Sequence, residues 1–92
     1  MIWRAPASRT GRTAAAAYTL TRIRPERNEW RYYRLAVWPD LFGRASLARQ
    51  WGRIGTQGRI RLDPHPDAGA AINALARLAH IKRRRGYQDR PM

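Results

Sequence analysis

The segment from Trp30 to Trp38 constrains the fold more than any other, because both of its faces are apolar. One face carries Tyr33, Leu35 and Val37, and the other carries Trp30, Tyr32, Arg34, Ala36 and Trp38. Alternation with a period of two is typical of a β-strand. A strand that is apolar on both faces belongs in the middle of a sheet. We therefore expect a central strand, covered by a helix on one side and carrying an aromatic platform on the other.

Further strands are predicted on either side of this segment in sequence. Residues 18–23 alternate and end before Pro25, which lacks the N–H that would continue a ladder. Residues 45–51 return after a longer loop that begins at Pro39. The sequence therefore predicts consecutive antiparallel strands.

A fourth strand is predicted after the turn at residues 55–58. In it, Arg59 and Arg61 alternate with Ile60 and Leu62. Because successive residues of a strand point to opposite faces, we expect Ile60 and Leu62 to face the core and the two arginines to face solvent.

The last third of the chain predicts a single helix. Asp67 is the predicted N-cap, after two prolines that hold the chain extended. From residue 68 to about 85, apolar side chains recur at helical spacing, and Gly86 is placed to end the helix in a left-handed conformation. The predicted fold is α+β: a twisted, four-stranded antiparallel sheet packed on one C-terminal helix.

The charge of the chain points to a polyanionic partner. Lys and Arg number 19 against 6 Asp and Glu, which gives a net charge of +13. Nucleic acid is the first candidate, ahead of an anionic membrane surface and an acidic protein. No apolar run reaches the ~18 residues of a transmembrane helix, so we expect no membrane partner.

Neither catalysis nor metal binding is predicted. The sequence contains no cysteine, and its histidines, His65 and His80, are far apart. Its acids fall mostly in turns, so no convergent acid–base pair or nucleophile is recognisable. We therefore expect a non-enzymatic protein without a cofactor, metal or small-molecule substrate. A cytoplasmic location suits a chain without disulfides.

The candidate binding segment is Trp51–Gly52–Arg53. Trp51 offers a flat face, and the surrounding arginines offer planar charged groups that fit phosphate oxygens in pairs. A second basic cluster ends the predicted helix. The predicted nucleic-acid-binding residues are Trp51, Gly52, Arg53, Arg49, Arg59, Arg61, Lys82, Arg83, Arg84 and Arg85. The simpler interpretation makes Trp51 a half-buried sheet residue and the arginines solvated charges at a sheet edge.

The order and spacing of these residues resemble the WGR domain, which is found in many poly(ADP-ribose) polymerases and in small bacterial proteins. The resemblance rests on Trp51-Gly52-Arg53-Ile54-Gly55 with Gly58, strand 31–35, the helix with Ala71, Ile72, Leu75 and Leu78, and Lys82 with Gly86-Tyr87. It covers residues 18–88, between a flexible basic tail at 1–17 and a C-terminal tail at 89–92.

The resemblance implies DNA binding at strand breaks. In the polymerases, the motif tryptophan packs against the sugar of a terminal nucleotide, and the motif arginine supports phosphate or interdomain contacts. Those roles fall to Trp51 and Arg53. We expect no ADP-ribosyl transfer, DNA ahead of RNA as the ligand, and room for a separately encoded protein partner.

The sequence also supports a different class of function. A platform of Trp30, Tyr32 and Trp38 would dock an acidic partner or a second copy of the chain. An exposed aromatic patch that becomes buried on self-association would favour this protein-interaction adaptor.

Overall fold

The computed structural model describes residues 14–90, in which a helix covers one face of an antiparallel sheet. The elements in chain order are β1 (Ala16–Arg24), β2 (Glu29–Pro39), β3 (Ala45–Arg53), β4 (Arg59–His65), α1 (Ala68–Arg84) and β5 (Gln88–Arg90). Most of the predicted basic tail, residues 1–13, lies outside the described residues, as do residues 91–92 of the predicted C-terminal tail.

The α+β prediction is confirmed, but the predicted count of four strands is wrong. Over residues 14–90, the sheet has five strands in the order β4-β3-β2-β1-β5, with β2 at its centre as predicted. The additional strand, β5, pairs antiparallel with β1 and places Arg90 opposite Thr19. Its three residues are polar and too few to show a period of two, so the sequence carried no signal for it.

The core lies between α1 and one face of the sheet. The sheet contributes Leu20, Leu35, Val37 and Leu47, and the helix contributes Ala71, Leu75 and Ala79. Ala71 and Ala79, on either side of Leu75, are small and let the helix approach the larger side chains of the sheet closely. The predicted N-cap is confirmed, because the Asp67 carboxylate accepts a hydrogen bond of 2.7 Å from the Ala70 amide. This packing fixes where the C-terminal end of α1 lies on the sheet.

The predicted orientation of β4 is wrong. Leu62 lies opposite Ala48 and Ile60 opposite Gln50, on the face away from α1, where Ile60 is 42% and Leu62 is 63% exposed. The physical reason is pairing register: a period of two shows that a strand has two faces, but the turn before β4 decides which face meets the helix.

Arg59 and Arg61 lie on the same face of the sheet as the helix. Arg59 is opposite Trp51, and Arg61 is opposite Arg49. Both arginines are exposed, as predicted, because β4 is the edge strand and most of it lies outside the area that α1 covers.

Candidate nucleic-acid interface

Gly52 of the Trp-Gly-Arg segment and Gly58 of the following turn allow the backbone of the turn to pack directly against the backbone of β3. Gly58 has φ of +64°, and a Cβ there would overlap the carbonyl oxygen of Trp51. A Cβ at Gly52 would lie 2.8 Å from the Cα of Gly58. The turn is thereby folded onto the face of the sheet away from α1, which leaves the opposite face at Trp51 uncovered by the turn.

Trp51 is half-buried and lies in an aromatic cluster. Its ring stacks on Tyr33, with centroids 5.7 Å apart and planes inclined by 16°. Tyr87 meets Tyr33 edge-on, with centroids 6.3 Å apart. The Arg49 guanidinium lies 5.7 Å from the centre of the Trp51 ring. Tyr33 therefore covers one face of the Trp51 ring in a stacked arrangement, which is a favourable geometry for two aromatic rings.

The end of helix α1 places Tyr87 in this cluster. Gly86 adopts φ of +95°, which confirms the predicted left-handed cap. The amide of Gly86 donates to the carbonyl of Arg83 at 3.0 Å, and the amide of Tyr87 donates to that of Lys82 at 3.1 Å. These two bonds form a Schellman motif, which turns the chain back under the helix. Tyr87 is consequently buried against the sheet.

A cleft of about 410 Å³ opens beside Trp51. Its lining comes from the β1–β2 turn, the end of β3 and the residue after the helix cap. The lining residues are Arg27, Asn28, Glu29, Trp30, Arg31, Trp51, Gly52, Arg53 and Tyr87. Three arginines and one acid give the cleft an excess of positive charge, and Trp51 and Tyr87 give it an aromatic wall. We call this feature the Trp51 cleft.

Glu29 is the one acid among the described lining residues of the cleft, and arginines already balance its charge. The Glu29 carboxylate accepts a 2.5 Å hydrogen bond from Arg22, and Arg24 and Arg31 each approach it to 4.0 Å. The hydrogen bond from Arg22 lowers the pKa of Glu29, and the charges of the three arginines add to this effect against the opposing effect of burial. Glu29 therefore stays ionised and leaves the cleft as a whole cationic.

Arg53 is anchored at one edge of the cleft. Its guanidinium donates at 3.2 Å to the backbone carbonyl of Asn28 and at 3.2 Å to the side-chain oxygen of the same residue. Asn28 has φ of 54°, a conformation that asparagine tolerates better than most residues. A guanidinium has five N–H groups, so Arg53 keeps donors for a ligand while the turn holds it in place.

The remaining arginines near Trp51 differ in how far they are paired. Asp63 lies 2.9 Å from Arg49 and 2.9 Å from Arg61. Among the described residues, no acid forms an ion pair with Arg59, which lies directly opposite Trp51. Of these three arginines, Arg59 is therefore the one whose charge is not balanced locally.

The basic residues at the end of α1, Lys82 to Arg85, point in different directions because successive residues lie about 100° apart around a helix. The Lys82 ammonium lies 4.5 Å from the centre of the Tyr33 ring and 5.8 Å from that of Tyr87. Burial lowers the pKa of Lys82, and nearby arginines, Arg85 first, lower it further. Lys82 thus lies against the aromatic cluster that contains Trp51. Arg85 follows Lys82 by three residues, which places it on the neighbouring part of the same helix side.

Arg83 and Arg84 point elsewhere. Arg83 binds both carboxylate oxygens of Asp89, at 2.7 and 2.8 Å, and lies over Tyr18 at 5.3 Å. Arg84 is exposed and follows the buried Leu75 by nine residues, which is about 180° around the helix at ~3.6 residues per turn. The structure therefore brings Trp51, Gly52, Arg53, Arg49, Arg59, Arg61, Lys82 and Arg85 into one region and leaves Arg83 and Arg84 outside it.

The aromatic platform predicted on the other face is not continuous. Trp30 is 36% exposed, but Tyr32 is only 7% exposed. The hydroxyl of Tyr32 reaches the carbonyls of Thr56 and Gln57, at 2.9 and 2.7 Å, and Arg34 lies 5.4 Å from the centre of its ring. Tyr32 thus anchors the β3–β4 turn, and an uninterrupted aromatic surface is absent from this face in the described part of the chain.

Sequence reasoning missed several residues of the cleft. Arg27, Asn28, Glu29 and Arg31 are not among the predicted nucleic-acid-binding residues. They meet Trp51 because β2 pairs with β3 so that Arg31 lies opposite Arg53. The pairing of Val37 with Leu47 fixes all the other pairs of β2 and β3, but this signal appears only when the apolar residues of the two segments are compared with each other.

Within residues 14–90, no group of three or more His, Cys, Asp or Glu side chains could hold a metal ion. Over the same residues, no helix is both long and apolar enough to cross a membrane.

A cationic cleft with an aromatic wall, set at a helix end on a small sheet, defines a module suited to an anionic ligand with flat or sugar-like groups. Residues 16–92 match the WGR domain, and the chain belongs to that family. WGR domains are in general nucleic-acid-binding modules.

The chain is also similar to a longer bacterial protein. The uncharacterized protein y4dW of Sinorhizobium fredii (strain NBRC 101917 / NGR234) is 41% identical over 70 residues, which cover 76% of this chain and 34% of the relative. The chain therefore spans about a third of the length of that relative. No solved structure matches the chain.

Proposed function

We propose that this WGR domain binds DNA, in preference to RNA, through the Trp51 cleft and without catalysing a reaction. We further propose that it binds ends or nicks in preference to continuous duplex. The proposal rests on one observation: Trp51 lines the same cleft as Arg27, Arg31 and Arg53. The Trp51 ring is stacked on Tyr33, with centroids 5.7 Å apart.

Each part of the cleft has a role in the proposal. Trp51 packs on the sugar or base of a terminal nucleotide, because only an end or a nick presents a nucleotide face that is not covered by the next stacked base. Arg27, Arg31 and Arg53 bind the adjoining phosphates. Phosphate contacts fix the position of the nucleic acid but carry no sequence information, so we expect no base preference.

The neighbouring cations extend this surface beyond the cleft. Arg59, opposite Trp51 on β4, and Lys82 and Arg85, at the helix end, attract the duplex behind its terminus. Arg83 is left out of the proposed site because its guanidinium is engaged by Asp89. Arg84 is left out because of its position on the helix. A separately encoded protein partner is compatible with this site, since the cleft occupies only one end of the sheet.

Fluorescence anisotropy tests the proposal with a blunt duplex, a nicked duplex and a closed circle, in DNA and RNA forms where these can be made. We expect Trp51→Ala to weaken binding to ends and nicks by about 1–3 kcal/mol, roughly 5- to 150-fold, with little effect on the closed circle. Arg53→Ala is expected to weaken binding to every form and to reduce the slope of log affinity against log salt by about 1.

Arg44→Ala is the matched control for Arg53→Ala. It removes the same charge from the exposed β2–β3 loop, at the opposite end of β2, roughly 30 Å away at ~3.3 Å per residue. Equal losses from Arg44→Ala and Arg53→Ala would mean that the domain binds only through its net charge. Equal affinity for ends and for the closed circle, unaffected by Trp51→Ala, would contradict end recognition.

A further inference from the structure

Strand β4 has a free edge. It pairs with β3 on one side, and among the described residues no strand pairs with its other side. It is seven residues long, whereas β5 at the opposite edge of the sheet has three. An uncovered strand edge presents a row of backbone N–H and C=O groups that can pair with another chain.

The two faces of β4 differ in chemistry, and both are accessible. Ile60 and Leu62 point away from α1 and are 42% and 63% exposed. Arg59 and Arg61 point to the other face, and the side chain of Arg61 is 66% exposed. A strand added to this edge would therefore meet two apolar side chains on one face and two arginines on the other.

The positive charge of β4 determines which kind of strand can pair with its free edge. Side chains directly opposite one another on paired strands attract when their charges differ and repel when they are alike. A second copy of β4 would bring its own Arg59 and Arg61 to the edge, and each copy carries a net charge of +13. An extended peptide that alternates acidic and apolar residues matches both faces at once.

We propose that the free edge of β4 binds an extended acidic–apolar segment of a partner protein as an added strand. Arg59 is the main charged contact, since Asp63 already pairs with Arg61. Apolar residues of the segment cover Ile60 and Leu62. Pro64 has no N–H to donate, so the pairing runs along residues 59–63. This surface adjoins the Trp51 cleft, because Arg59 lies opposite Trp51 and also belongs to the cations proposed to attract the duplex. Its apolar face, Ile60 and Leu62, has no role in the proposed DNA site.

The test uses two synthetic peptides as probes. One is a fluorescein-labelled decapeptide that alternates glutamate and valine, and the other has the same composition with its glutamates and valines in separate blocks. We expect the alternating peptide to bind at least about tenfold more tightly, because only it can place every side chain on its matching face. Equal binding would mean simple charge attraction, and no binding by either peptide would mean that the edge is closed; either result overturns the proposal.

Variants on the exposed apolar face separate this surface from the DNA site. The double variant Ile60→Asn, Leu62→Asn is expected to weaken binding of the alternating peptide by about 3- to 30-fold, with DNA affinity unchanged. Ile81→Asn, which changes an isoleucine of similar exposure on α1 (38%), is the matched control and should change neither. Loss of peptide binding in Ile81→Asn to the same extent would overturn the assignment to β4.

Amide hydrogen exchange identifies the mode of binding. Adding the alternating peptide should slow the exchange of those amides of residues 59–63 that do not already bond to β3. Trp51→Ala should retain peptide binding even though the proposed function predicts that it loses DNA ends. If Trp51→Ala abolished peptide binding, the peptide would occupy the Trp51 cleft and the β4 proposal would be overturned, whatever the result with DNA.

Discussion

At the scale of single residues, Gly52 and Gly58 matter because neither position has room for a Cβ atom. A Cβ would overlap the Trp51 carbonyl if added at Gly58, and would lie 2.8 Å from the Gly58 Cα if added at Gly52, so the β3–β4 turn can take its close path only with glycine at both positions. Arg53 then fixes the β1–β2 turn through Asn28. Two turns that are distant in sequence are thus held on either side of β3.

Gly58→Ala tests this role. The substitution introduces a Cβ that would overlap the Trp51 carbonyl, at a φ of +64°. Gly43→Ala is the control, since Gly43 also has a positive φ of +83° but nothing lies within 4 Å of a Cβ there. We expect Gly43→Ala to cost about 1–2 kcal/mol of folding free energy from conformation alone, and Gly58→Ala to cost about 2 kcal/mol more. Equal losses in urea denaturation would show that the backbone contact has no energetic role.

The carboxylate of Glu29 gives a prediction of pH dependence. Its pKa is lowered below the ordinary 4.5, first by the hydrogen bond from Arg22. A depressed carboxyl pKa stabilises the fold above the unfolded value, and this stabilisation is lost as the pH falls through the lowered pKa. We therefore expect Glu29→Gln to be less stable than the wild type at pH 7, with the difference shrinking below about pH 4.5.

Thermal unfolding between pH 7 and pH 2 measures this difference. Glu26→Gln is the control, because it removes an exposed carboxylate of the neighbouring turn without breaking an ion pair of the described residues. A destabilisation by Glu29→Gln that stayed constant across the whole pH range would contradict an electrostatic role for Glu29.

Much of the residue-scale description could be predicted from the sequence, but the partners of the residues could not. The aromatic Trp51, the N-cap Asp67 and the cap Gly86 follow from local rules that involve only neighbouring residues. The stacking of Trp51 on Tyr33 and the pairing of Arg53 with Asn28 depend on strand register. Register is a property of two segments at once, and a local pattern does not encode it.

At the scale of elements, strand β5 forms the edge of the sheet beside β1 and links the sheet to helix α1 through side-chain contacts. Asp89 of β5 binds Arg83 of α1 through two hydrogen bonds, and the side chain of Arg90 donates to the Thr21 hydroxyl at 2.5 Å. The hydrogen bond from Arg83 lowers the pKa of Asp89. We therefore expect this three-residue strand to depend on its side-chain contacts as well as on its short ladder.

Asp89→Asn tests this dependence. We expect faster amide exchange in residues 88–90 and in the part of β1 that they cover, while global stability changes by no more than about 1 kcal/mol, as is usual for an exposed ion pair. Hydrogen exchange followed by mass spectrometry, with urea denaturation in parallel, measures both. Unchanged exchange in residues 88–90 would show that backbone pairing alone holds β5.

The elements also show where sequence patterns stop being informative. The central strand and the helix were predictable because each is long and its apolar side chains repeat over several periods. In β4, the alternation of arginines with Ile60 and Leu62 was recognised but assigned to the wrong faces. An edge strand has little core to fill, so its apolar residues need not face the helix, and their exposure here is a property that a binding partner can use.

At the scale of the whole molecule, the net charge of +13 and the Trp51 cleft make separate contributions to binding. The charge gives affinity for any polyanion and falls steeply with salt through counterion release. Under the proposed function, the cleft adds a preference for ends and nicks, and this preference should persist as salt weakens the total affinity. Between about 50 and 200 mM salt, both the affinity for a nicked duplex and the affinity for a closed duplex should fall. We expect the ratio of these two affinities to change less than either affinity does.

Anisotropy titrations at several salt concentrations measure that ratio. A ratio that collapsed to one as salt increased would assign the preference to electrostatics rather than to the cleft. Lys82→Met, which removes the cation over Tyr33, should lower both affinities together because it changes the charge and leaves Trp51 in place.

The most direct test of the account is an NMR footprint of a short blunt DNA hairpin on the ¹⁵N-labelled protein. If the terminal nucleotide occupies the Trp51 cleft, the largest shift changes fall on residues 27–31, 51–53 and 87, including the indole N–H of Trp51. The indole of Trp38, near the far end of β2, should change little. Changes spread evenly over the exposed arginines, or centred on Arg77 and Arg84 of the outer helix surface, would contradict the assignment of the cleft as the DNA-binding site.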